Sequence, residues 1–299
     1  MYDLCCIGHI TKDKIVVNNN TKYSAGGTAF YFSHAIKIFN DINYYITTIV
    51  GKSEINSIKN LRKIGIKANS IICENSVFFE NIYNTNTDER KQCVLSKAIP
   101  FSPSIVKNIE SRYIHFGPLL NDDFSTESII NKSKESLISL DVQGFLRSLD
   151  NKHNVIPVNW KSKEAVLKCV YFLKANEYEL MTLTKTKDIL EGIKIINKWG
   201  VKEIIITLGH MGSLIFDGAI LYKIPAYKPR TIIDVTGCGD TYMAGYLYCR
   251  FKNKNIEDSG NFGAAMATLK IENYGPFNST YPDILECINS FDKIYPNNN

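Results

Sequence analysis

The sequence predicts an α/β protein with a mostly parallel central sheet flanked by helices. Short apolar stretches alternate along the chain with helical patterns, as is typical of parallel strands joined by right-handed crossovers. Several of the apolar stretches run directly into glycine or polar residues. Ligands collect outside the carboxyl ends of strands in such sheets, so these junctions are the first places to look for a site.

The first third of the chain predicts the start of the sheet and a separate small sheet. Strands are expected at 3–8 and 44–51, helices at 29–38 and 54–64, and a hairpin around the polar turn 18–21. Short alternating stretches return between 71 and 99, separated by polar residues 84–90. With the hairpin they predict a small β-sheet lid, formed by about 12–26 and 75–99 and inserted in a single domain of residues 1–299.

In the second half the strand–helix rhythm continues. Strands are predicted at 112–116, 136–141, 169–176 and 203–209, with an amphipathic helix at 189–199. The stretch from 231 to 251 is predicted as strand, glycine-bracketed turn and helix. Its apolar run, Thr231 to Ile233, precedes the turn, and Met243, Leu247 and Phe251 then recur four residues apart.

Composition narrows the class of protein. Hydrophobic residues make up 44% and charged residues 22% of the 299 residues, as in ordinary globular proteins. The net charge of +5 is spread along the chain, without basic runs interleaved with aromatics, so a nucleic-acid partner is not expected. The first residues lack a basic start and a long apolar core, and no run is long enough to span a membrane. We therefore expect a cytoplasmic protein that binds neither membrane nor nucleic acid.

Several common sites are excluded by their missing motifs. The eight cysteines contain no C-x-x-C pair and no nearby histidine spacing typical of zinc, so reduced buried thiols are expected. Neither the phosphate-binding G-x-x-x-x-G-K-[ST] motif nor the protein-kinase motifs occur. The first strand is not followed by G-x-G-x-x-G, which argues against a dinucleotide-dependent oxidoreductase.

The most informative segment is Asp234-Val235-Thr236-Gly237-Cys238-Gly239-Asp240. A glycine turn at a helix N-terminus points backbone N–H groups at a ligand, and the helix dipole adds partial positive charge. Such a turn is therefore suited to bind an anion. Asp240 has two interpretations. It is either a cap of the helix or a base that accepts a proton from a hydroxyl attacking that anion.

Two further strand ends carry related chemistry. Asn176-Glu177-Tyr178-Glu179 offers an amide and carboxylates suited to holding Mg²⁺ through water in a phosphate site. The second is the loop Thr207-Leu208-Gly209-His210-Met211-Gly212. Its two glycines lack side chains, so a nucleotide can approach the backbone closely. Each alone is more often structural, but three such clusters at consecutive strand ends favour a shared site.

These motifs resemble those of the ribokinase/PfkB family of carbohydrate kinases over essentially the whole chain. The segment 234–240 is similar to the family's D-T-x-G-A-G-D signature, Gly26-Gly27 to its glycine pair, 176–179 to its N-x-x-E motif and 207–212 to its T-x-G-x-x-G loop. The resemblance implies a ribokinase-like fold and ATP-dependent phosphorylation of a sugar-like alcohol. Asp240 would be the catalytic base, and the amides of Gly237, Cys238 and Gly239 the anion hole.

The resemblance also implies roles for residues outside the motifs. Substrate hydroxyls would be bound by Asp13, Gly26, Gly27, Thr28, Asp141, Gln143 and Asp240. The nucleotide would contact Asn176, Thr207, Gly209, Gly212, Gly237, Gly239, Ala264, Asn273 and Gly275. Glu179 and Asn176 would hold Mg²⁺ through water, and Asp234 is expected near a site for a monovalent cation such as K⁺. The lid is a candidate surface for homodimerisation.

Three departures from the family pattern bear on the substrate and the loop. Tyr31 stands where typical sugar kinases have asparagine, and the family's D-x-N-x-R segment appears as Asp141 to Arg147. The combination of Gly8-His9 to Asp13, Gly26-Gly27-Thr28 and Asp141-Val142-Gln143 is similar to the inositol kinase branch, so a cyclitol such as myo-inositol is the first expectation. Cys238 replaces the usual alanine, either as a thiol with a lowered pKa at the helix N-terminus or as a small residue that simply fits.

Other activities remain as alternatives. A kinase of a furanose sugar, nucleoside or sugar phosphate would use the same machinery. A phosphorylated sugar calls for an extra basic cluster in the lid, where only Arg90 with Lys91 is available. A non-catalytic sugar- or nucleotide-binding protein is the alternative from another class, and the presence of both Asp240 and Glu179 argues against it.

Overall fold

A computed structural model of the protein describes residues 1–17, 20–83 and 90–296. Its strands, in chain order, are β1 (Tyr2–Gly8), β2 (Thr11–Val17), β3 (Asn20–Gly26), β4 (Tyr44–Gly51), β5 (Ala68–Cys73), β6 (Phe78–Tyr83), β7 (Arg90–Ser96), β8 (Ser111–Gly117), β9 (Leu137–Asp141), β10 (Arg147–Leu149), β11 (Val155–Pro157), β12 (Phe172–Asn176), β13 (Glu203–Thr207), β14 (Ser213–Phe216), β15 (Leu221–Ile224), β16 (Ala226–Tyr227) and β17 (Lys293–Ile294). Its α-helices are α1 (Thr28–Ile36), α2 (Ile55–Lys63), α3 (Pro103–Lys107), α4 (Thr126–Lys132), α5 (Lys163–Leu167), α6 (Glu177–Thr184), α7 (Ile189–Lys198), α8 (Cys238–Phe251), α9 (Ile256–Ile271) and α10 (Tyr281–Ser290).

The central sheet has the strand order β15-β14-β13-β12-β9-β8-β1-β4-β5. Neighbours from β13 to β5 are parallel, and β14 and β15 join antiparallel at one edge. Strands β1 and β13 read as continuous buried runs because both faces of the sheet are covered. The carboxyl ends of the parallel strands therefore meet at one edge of the sheet, as the sequence predicts for an α/β fold.

Helices cover the two faces of this sheet and form two hydrophobic cores. One core takes its helical side chains from α1, α2, α8, α9 and α10, including the buried Phe32 and Met243. The other takes them from α3 to α7, including Ile129 and Leu180. The predicted α/β architecture is thus confirmed, with a helical layer on each side of the mostly parallel sheet.

A small sheet of order β3-β2-β6-β7 forms the lid. Its inward side packs on the body through Val77, Phe79 and Val94, which contact Leu119 and Leu120. Asp13 is in register with Phe79 across β2 and β6, so its side chain lies on this inward side and is only 7% exposed. The lid segments predicted at 12–26 and 75–99 contain these strands. The predicted turn residues 18–19 and the polar residues 84–89 lie outside the described residues.

One predicted element is wrong. Residues 231–233 do not form a strand, and Ile232 is 73% exposed. Instead, the N–H groups of Ile233 and Asp234 both donate to the carbonyl of Ile271 at the end of α9. The apolar run reflects an exposed segment that leads into α8, not a buried strand.

Over the three described ranges, no helix is both long and apolar enough to cross a membrane.

Candidate active site

The glycine turn before α8 has the geometry expected of an anion-binding loop. Gly237 is the N-cap of α8 and has a φ of 77°, a left-handed conformation that favours glycine. A Cβ atom at Gly237 would also collide with the ring of Tyr31. The N–H groups of the first turn have no carbonyl partner within the helix, and that of Cys238 makes only a long turn bond, 3.4 Å, to the carbonyl of Val235. The loop therefore presents N–H donors at the positive end of a 14-residue helix.

Asp240 lies in the first turn of this helix but does not cap it. The N-cap is Gly237, and α8 has no side-chain capping hydrogen bond. Burial raises the pKa of Asp240 to about 7, and the nearby Asp141 adds to this, while Lys174 and a hydrogen bond with Thr28 oppose it. A carboxyl group that titrates near neutral pH beside an anion-binding loop is suited to general-base chemistry.

A buried lysine that the motifs did not reveal lies at the centre of the site. Lys174 belongs to β12, is 6% exposed, and places its Nζ 2.9 Å from Asp141 Oδ2 and 3.8 Å from Glu179 Oε2. A Cβ atom on Gly239 would lie 3.1 Å from this Nζ, so the ammonium group packs against the anion-binding loop. Burial lowers the pKa of Lys174, but Asp141 and Glu179 outweigh it, and the net pKa is raised. The sequence signal was a lysine inside an otherwise apolar strand.

Asn176 and Glu179 form a reciprocal capping box at the start of α6. The Glu179 N–H donates to Asn176 Oδ1, and the Asn176 N–H donates to Glu179 Oε2, both at 2.8 Å. Gln143 Nε2 donates to the other carboxylate oxygen of Glu179 at 3.3 Å. Each carboxylate oxygen keeps lone pairs beyond these bonds, and Glu179 lies next to Lys174 and Asp141. The motif is thus structural, and it also points acidic oxygen atoms at the site.

The chain between the lid and α1 brings the predicted substrate residues together. A Cβ atom on Gly26 would collide with the carboxylate of Asp13, and one on Gly27 with the carbonyl of His9. Gly27 has a φ of 87° and is the N-cap of α1, whose first residue, Thr28, hydrogen-bonds to Asp240. Gly26 thus packs against the Asp13 carboxylate, and Gly27 begins the helix whose first residue bonds to Asp240, so the glycine pair lies between the two carboxylates in the chain path.

The predicted nucleotide loop follows β13 directly. Thr207 is in register with Asn176 of the neighbouring strand β12, so the two motifs are adjacent. Gly209 and Gly212 have φ values of 59° and 94°, and a Cβ atom on Gly212 would collide with the carbonyl of Ile224. The turn at Gly209–Met211 thus holds an open backbone at the same edge of the sheet as Glu179.

The remaining predicted residues lie near the end of α9. Ala264 is buried in the core that α8 and α9 share. Asn273 Nδ2 donates to the carbonyl of Leu269, and the Gly275 N–H donates to Asp234 Oδ2 at 3.2 Å. Asp234 also accepts hydrogen bonds from the ammonium group of Lys270.

Tyr31 and Cys238 lie beside the anion-binding loop. Burial raises the pKa of Tyr31, and the carboxylates of Asp13, Asp234 and Asp240 raise it further, so its hydroxyl keeps its proton. Burial also raises the pKa of Cys238 to about 12. A raised pKa argues against a reactive thiolate at Cys238 and favours its interpretation as a small residue that fits.

Comparison with known proteins gives a family match over part of the chain. A model of the pfkB family carbohydrate kinases matches residues 141–283, the part of the chain that contains Lys174, Glu179 and Asp240. The cytidine kinase of Thermococcus kodakarensis is 21% identical over 288 residues, which cover 94% of this chain and 100% of that protein.

Solved structures show the same architecture. A pyrophosphate-dependent kinase of the ribokinase family, complexed with a pyrophosphate analog and myo-inositol, has a TM-score of 0.85 and 27% identity, covering 95% of this chain and 99% of that one. The fold is also shared by the Arabidopsis thaliana ribokinase complexed with ribose and ATP, with a TM-score of 0.76, 18% identity and coverage of 96% and 99%. The chain is therefore a phosphotransferase with an alcohol group as acceptor in the ribokinase-like fold, and its residues 141–283 match the pfkB family carbohydrate kinases.

Proposed function

We propose that this kinase phosphorylates a hydroxyl group of a cyclitol or sugar, with myo-inositol as the first candidate. The observation that carries the proposal is the Asp240 carboxyl, whose pKa is about 7, beside the glycine loop at the start of α8. The substrate oxygen attacks the terminal phosphorus of the donor, the bond from that phosphorus to the leaving oxygen breaks, and Asp240 takes the hydroxyl proton. The amides of residues 237–239 stabilise the charge on the transferred group.

Two positive groups meet the phosphates in this mechanism. The loop supplies the helix N-terminus, and Lys174 supplies a full charge that Asp141 and Glu179 hold in place. Lys174 also opposes the rise in the pKa of Asp240. The site therefore places a base that titrates near neutrality close to a fixed cation, an arrangement suited to phosphoryl transfer to an alcohol.

The lid and α1 provide the proposed acceptor pocket. Asp13 on the inward side of the lid is suited to accept hydrogen bonds from substrate hydroxyls, and Thr28, Asp141 and Gln143 are the proposed contacts on the body. Lys22 of β3 lies 4.8 Å from the ring centroid of Tyr274, so the lid contacts the body close to Gly275, which bonds to Asp234 before the loop. Tyr31 adds a protonated hydroxyl where typical family members have an amide.

The choice of a cyclitol is supported by the relative at 27% identity that was solved with myo-inositol. A nucleoside remains an alternative acceptor, since a cytidine kinase matches along its full length. Furanose sugars and sugar phosphates are further alternatives, although the predicted basic pair in the lid involves Arg90, whose side chain lies outside the described part of the structure. A non-catalytic binding role is disfavoured by the elevated pKa of Asp240.

ATP with Mg²⁺ is the proposed donor, and Thr207, Gly209, Gly212, Ala264, Asn273 and Gly275 are the proposed nucleotide contacts. The Glu179 and Asn176 oxygens fit water-mediated Mg²⁺, since no group of three acidic, histidine or cysteine side chains suited to direct ligation occurs within 1–17, 20–83 and 90–296. When bound, Mg²⁺ neutralises phosphate charge. Pyrophosphate is the second candidate donor, because the 27% identical structure is of a pyrophosphate-dependent kinase.

The decisive experiment is a donor-by-acceptor matrix. ATP and pyrophosphate are each tested with Mg²⁺ against myo-inositol, pentoses, hexoses, nucleosides and sugar phosphates, and the phosphorylated product is detected by mass spectrometry. We expect the highest kcat/KM with a cyclitol. A higher kcat/KM with a nucleoside or sugar phosphate would overturn the cyclitol assignment. Turnover with pyrophosphate but not with ATP would show that pyrophosphate, and not ATP, is the donor. The absence of product with every combination of donor and acceptor would contradict the kinase mechanism.

The pH dependence of the reaction follows from Asp240. Because only the ionised carboxylate accepts a proton, kcat/KM is expected to rise about tenfold per pH unit below about pH 7 and to level off above it. The measurement is a kcat/KM profile with the best acceptor at constant ionic strength. A profile that stays flat from about pH 5.5 to 8 would contradict the assignment of Asp240 as the base.

The organisation of the molecule is also part of the proposal. Residues 1–299 form one domain with the lid inserted in it, and the outer side of the lid, where Tyr23 and Leu95 are exposed, is the candidate homodimer surface. Each of the eight cysteines is free, and all of them fall in the described ranges, which supports a reducing, cytoplasmic environment. Sedimentation of the purified protein tests the dimer.

A further inference from the structure

Lys270 is a buried cation outside the phosphate site. It is the second-last residue of α9 and has no exposed surface. Its Nζ donates to the carbonyl of Asp234 at 2.8 Å, to Asp234 Oδ2 at 3.1 Å and to the carbonyl of Asn273 at 3.4 Å. An ammonium group has three donors, so these three oxygen atoms use all of them.

These oxygen atoms belong to the segment that leads into the anion-binding loop. Asp234 Oδ1 accepts the N–H of Thr236 at 2.9 Å, and Asp234 Oδ2 accepts the N–H of Gly275 at 3.2 Å. Gly237 follows Thr236 directly. The Lys270 ammonium thus fixes Asp234, and Asp234 fixes the backbone immediately before the loop. Lys270 Nζ also lies 5.9 Å from the ring centroid of Tyr31, whose ring packs on Gly237.

The same oxygen atoms form the place where a monovalent cation was predicted. Carbonyl and carboxylate oxygens are the ligands that hard cations prefer, and here they surround the ammonium group. A second cation in contact with Asp234 would lie against the fully buried ammonium group of Lys270, and the like charges would repel. The residues present therefore do not fit a free monovalent ion at Asp234.

We infer that the ammonium group of Lys270 is a built-in replacement for a monovalent cation and that it positions the anion-binding loop. Lys270 is a positioning residue, since it acts through Asp234 and touches no reacting atom. The effect on turnover rests on the proposed function, whereas the occupancy of the cation site does not. A tethered cation is always bound, so the enzyme needs no K⁺ from solution.

The first test uses the unmodified protein. The kinase rate is measured in KCl, NaCl, NH₄Cl and tetramethylammonium chloride at one ionic strength, so that screening is constant. We expect the four rates to agree within about twofold, a difference below 1 kcal/mol in the barrier. Activation of tenfold or more by K⁺ over tetramethylammonium, about 1.4 kcal/mol, would overturn the inference.

The second test removes the ammonium group. Lys270→Ala is expected to lower kcat about 10²-fold, with a smaller change in the acceptor KM, because the loop loses its support. NH₄⁺ or K⁺ in the vacated space should restore part of kcat in this variant. Lys132→Ala is the matched control, since Lys132 is also a buried lysine bound to a carbonyl and a carboxylate, but it lies in α4 away from the loop. It should keep kcat and show no response to the cation.

A readout independent of turnover separates this inference from the proposed function. The melting temperature of Lys270→Ala should rise by about 2–4 °C between tetramethylammonium and K⁺, because the ion binds the folded state only. The unmodified protein and Lys132→Ala should show no K⁺-specific rise. A K⁺-specific rise in the unmodified protein, or a folded Lys270→Ala with full activity, would overturn the inference. If no combination of donor and acceptor gives turnover, the proposed function fails, but the melting comparison still shows whether a free cation binds near Asp234. If Lys270→Ala does not fold, the response of the unmodified protein to K⁺ decides between the two outcomes alone.

Discussion

Asp240→Asn is expected to lower kcat by ~10²–10⁴-fold while donor binding is largely kept. Asparagine has nearly the same shape and can keep a hydrogen bond with Thr28, but it cannot accept the hydroxyl proton. The loss should therefore appear in kcat with little change in the donor dissociation constant. Single-turnover product formation and calorimetric donor titration measure the two quantities separately.

Asp258→Asn is the matched control for the capping interpretation. Asp258 also lies in the first turn of a helix, α9, where its carboxylate accepts from Asn255 Nδ2 at 2.9 Å. If Asp240 acted only on its helix, the two variants would lose the same modest stability and keep their activity. We expect Asp258→Asn to keep kcat. Near-normal turnover in Asp240→Asn would remove Asp240 from the role of base.

The stability of Asp240→Asn provides an independent check with a definite sign. The pKa of Asp240 rises from 3.8 to about 7 on folding, so the folded protein binds more protons than the unfolded chain between these values. Its stability therefore falls as pH rises through this window, and the full penalty is present above about pH 7. Asparagine carries no such penalty. The variant should be more stable than the parent at pH 8, on the order of 4 kcal/mol, and this gain should disappear toward pH 4.

The parts of the fold that the sequence could predict are those with a strong periodic signal. The apolar run of β13 and the amphipathic face of α7 were predicted within a few residues of their bounds. Helix α9 was not predicted, because it is buried on nearly all sides and shows no polar face. The exposed segment 231–233 was predicted as a strand because its composition matches one, while tertiary hydrogen bonds to Ile271 decide its conformation.

The same distinction applies to the site. Motifs that depend on backbone geometry, such as Gly237 at a helix N-terminus, can be recognised locally because only glycine suits the conformation. Lys174 and Lys270 have no local pattern, since their importance comes from carboxylates that are 33 and 36 residues away in the chain. A lysine inside a buried strand or helix is the available signal, because an ammonium group is almost never fully buried without a partner.

Lys174→Met is expected to lower kcat by about 10²–10³-fold and to raise the donor KM, because the phosphates lose a fixed positive charge in a site that excludes water. Methionine preserves much of the side-chain volume, so the loop at Gly239 keeps its packing. The variant should also be less stable, by about 3–5 kcal/mol, because Asp141 remains buried without its partner. Steady-state kinetics with the best donor and acceptor, together with thermal melts, measure both effects.

Lys132→Met separates the loss of a buried lysine from the loss of a phosphate-binding charge. Lys132, the last residue of α4, donates from its Nζ to Glu135 Oε2 at 2.8 Å. Removal of the Lys132 ammonium group should therefore lower stability without lowering kcat. A second readout concerns Asp240, whose pKa Lys174 holds down. Without Lys174, the rise of kcat/KM with pH should move above pH 7 toward the alkaline side, whereas Lys132→Met should leave it in place. A folded Lys174→Met with normal kcat and an unshifted pH profile would show that Lys174 only balances its acidic neighbours, and the phosphate charge would then be neutralised by the loop alone.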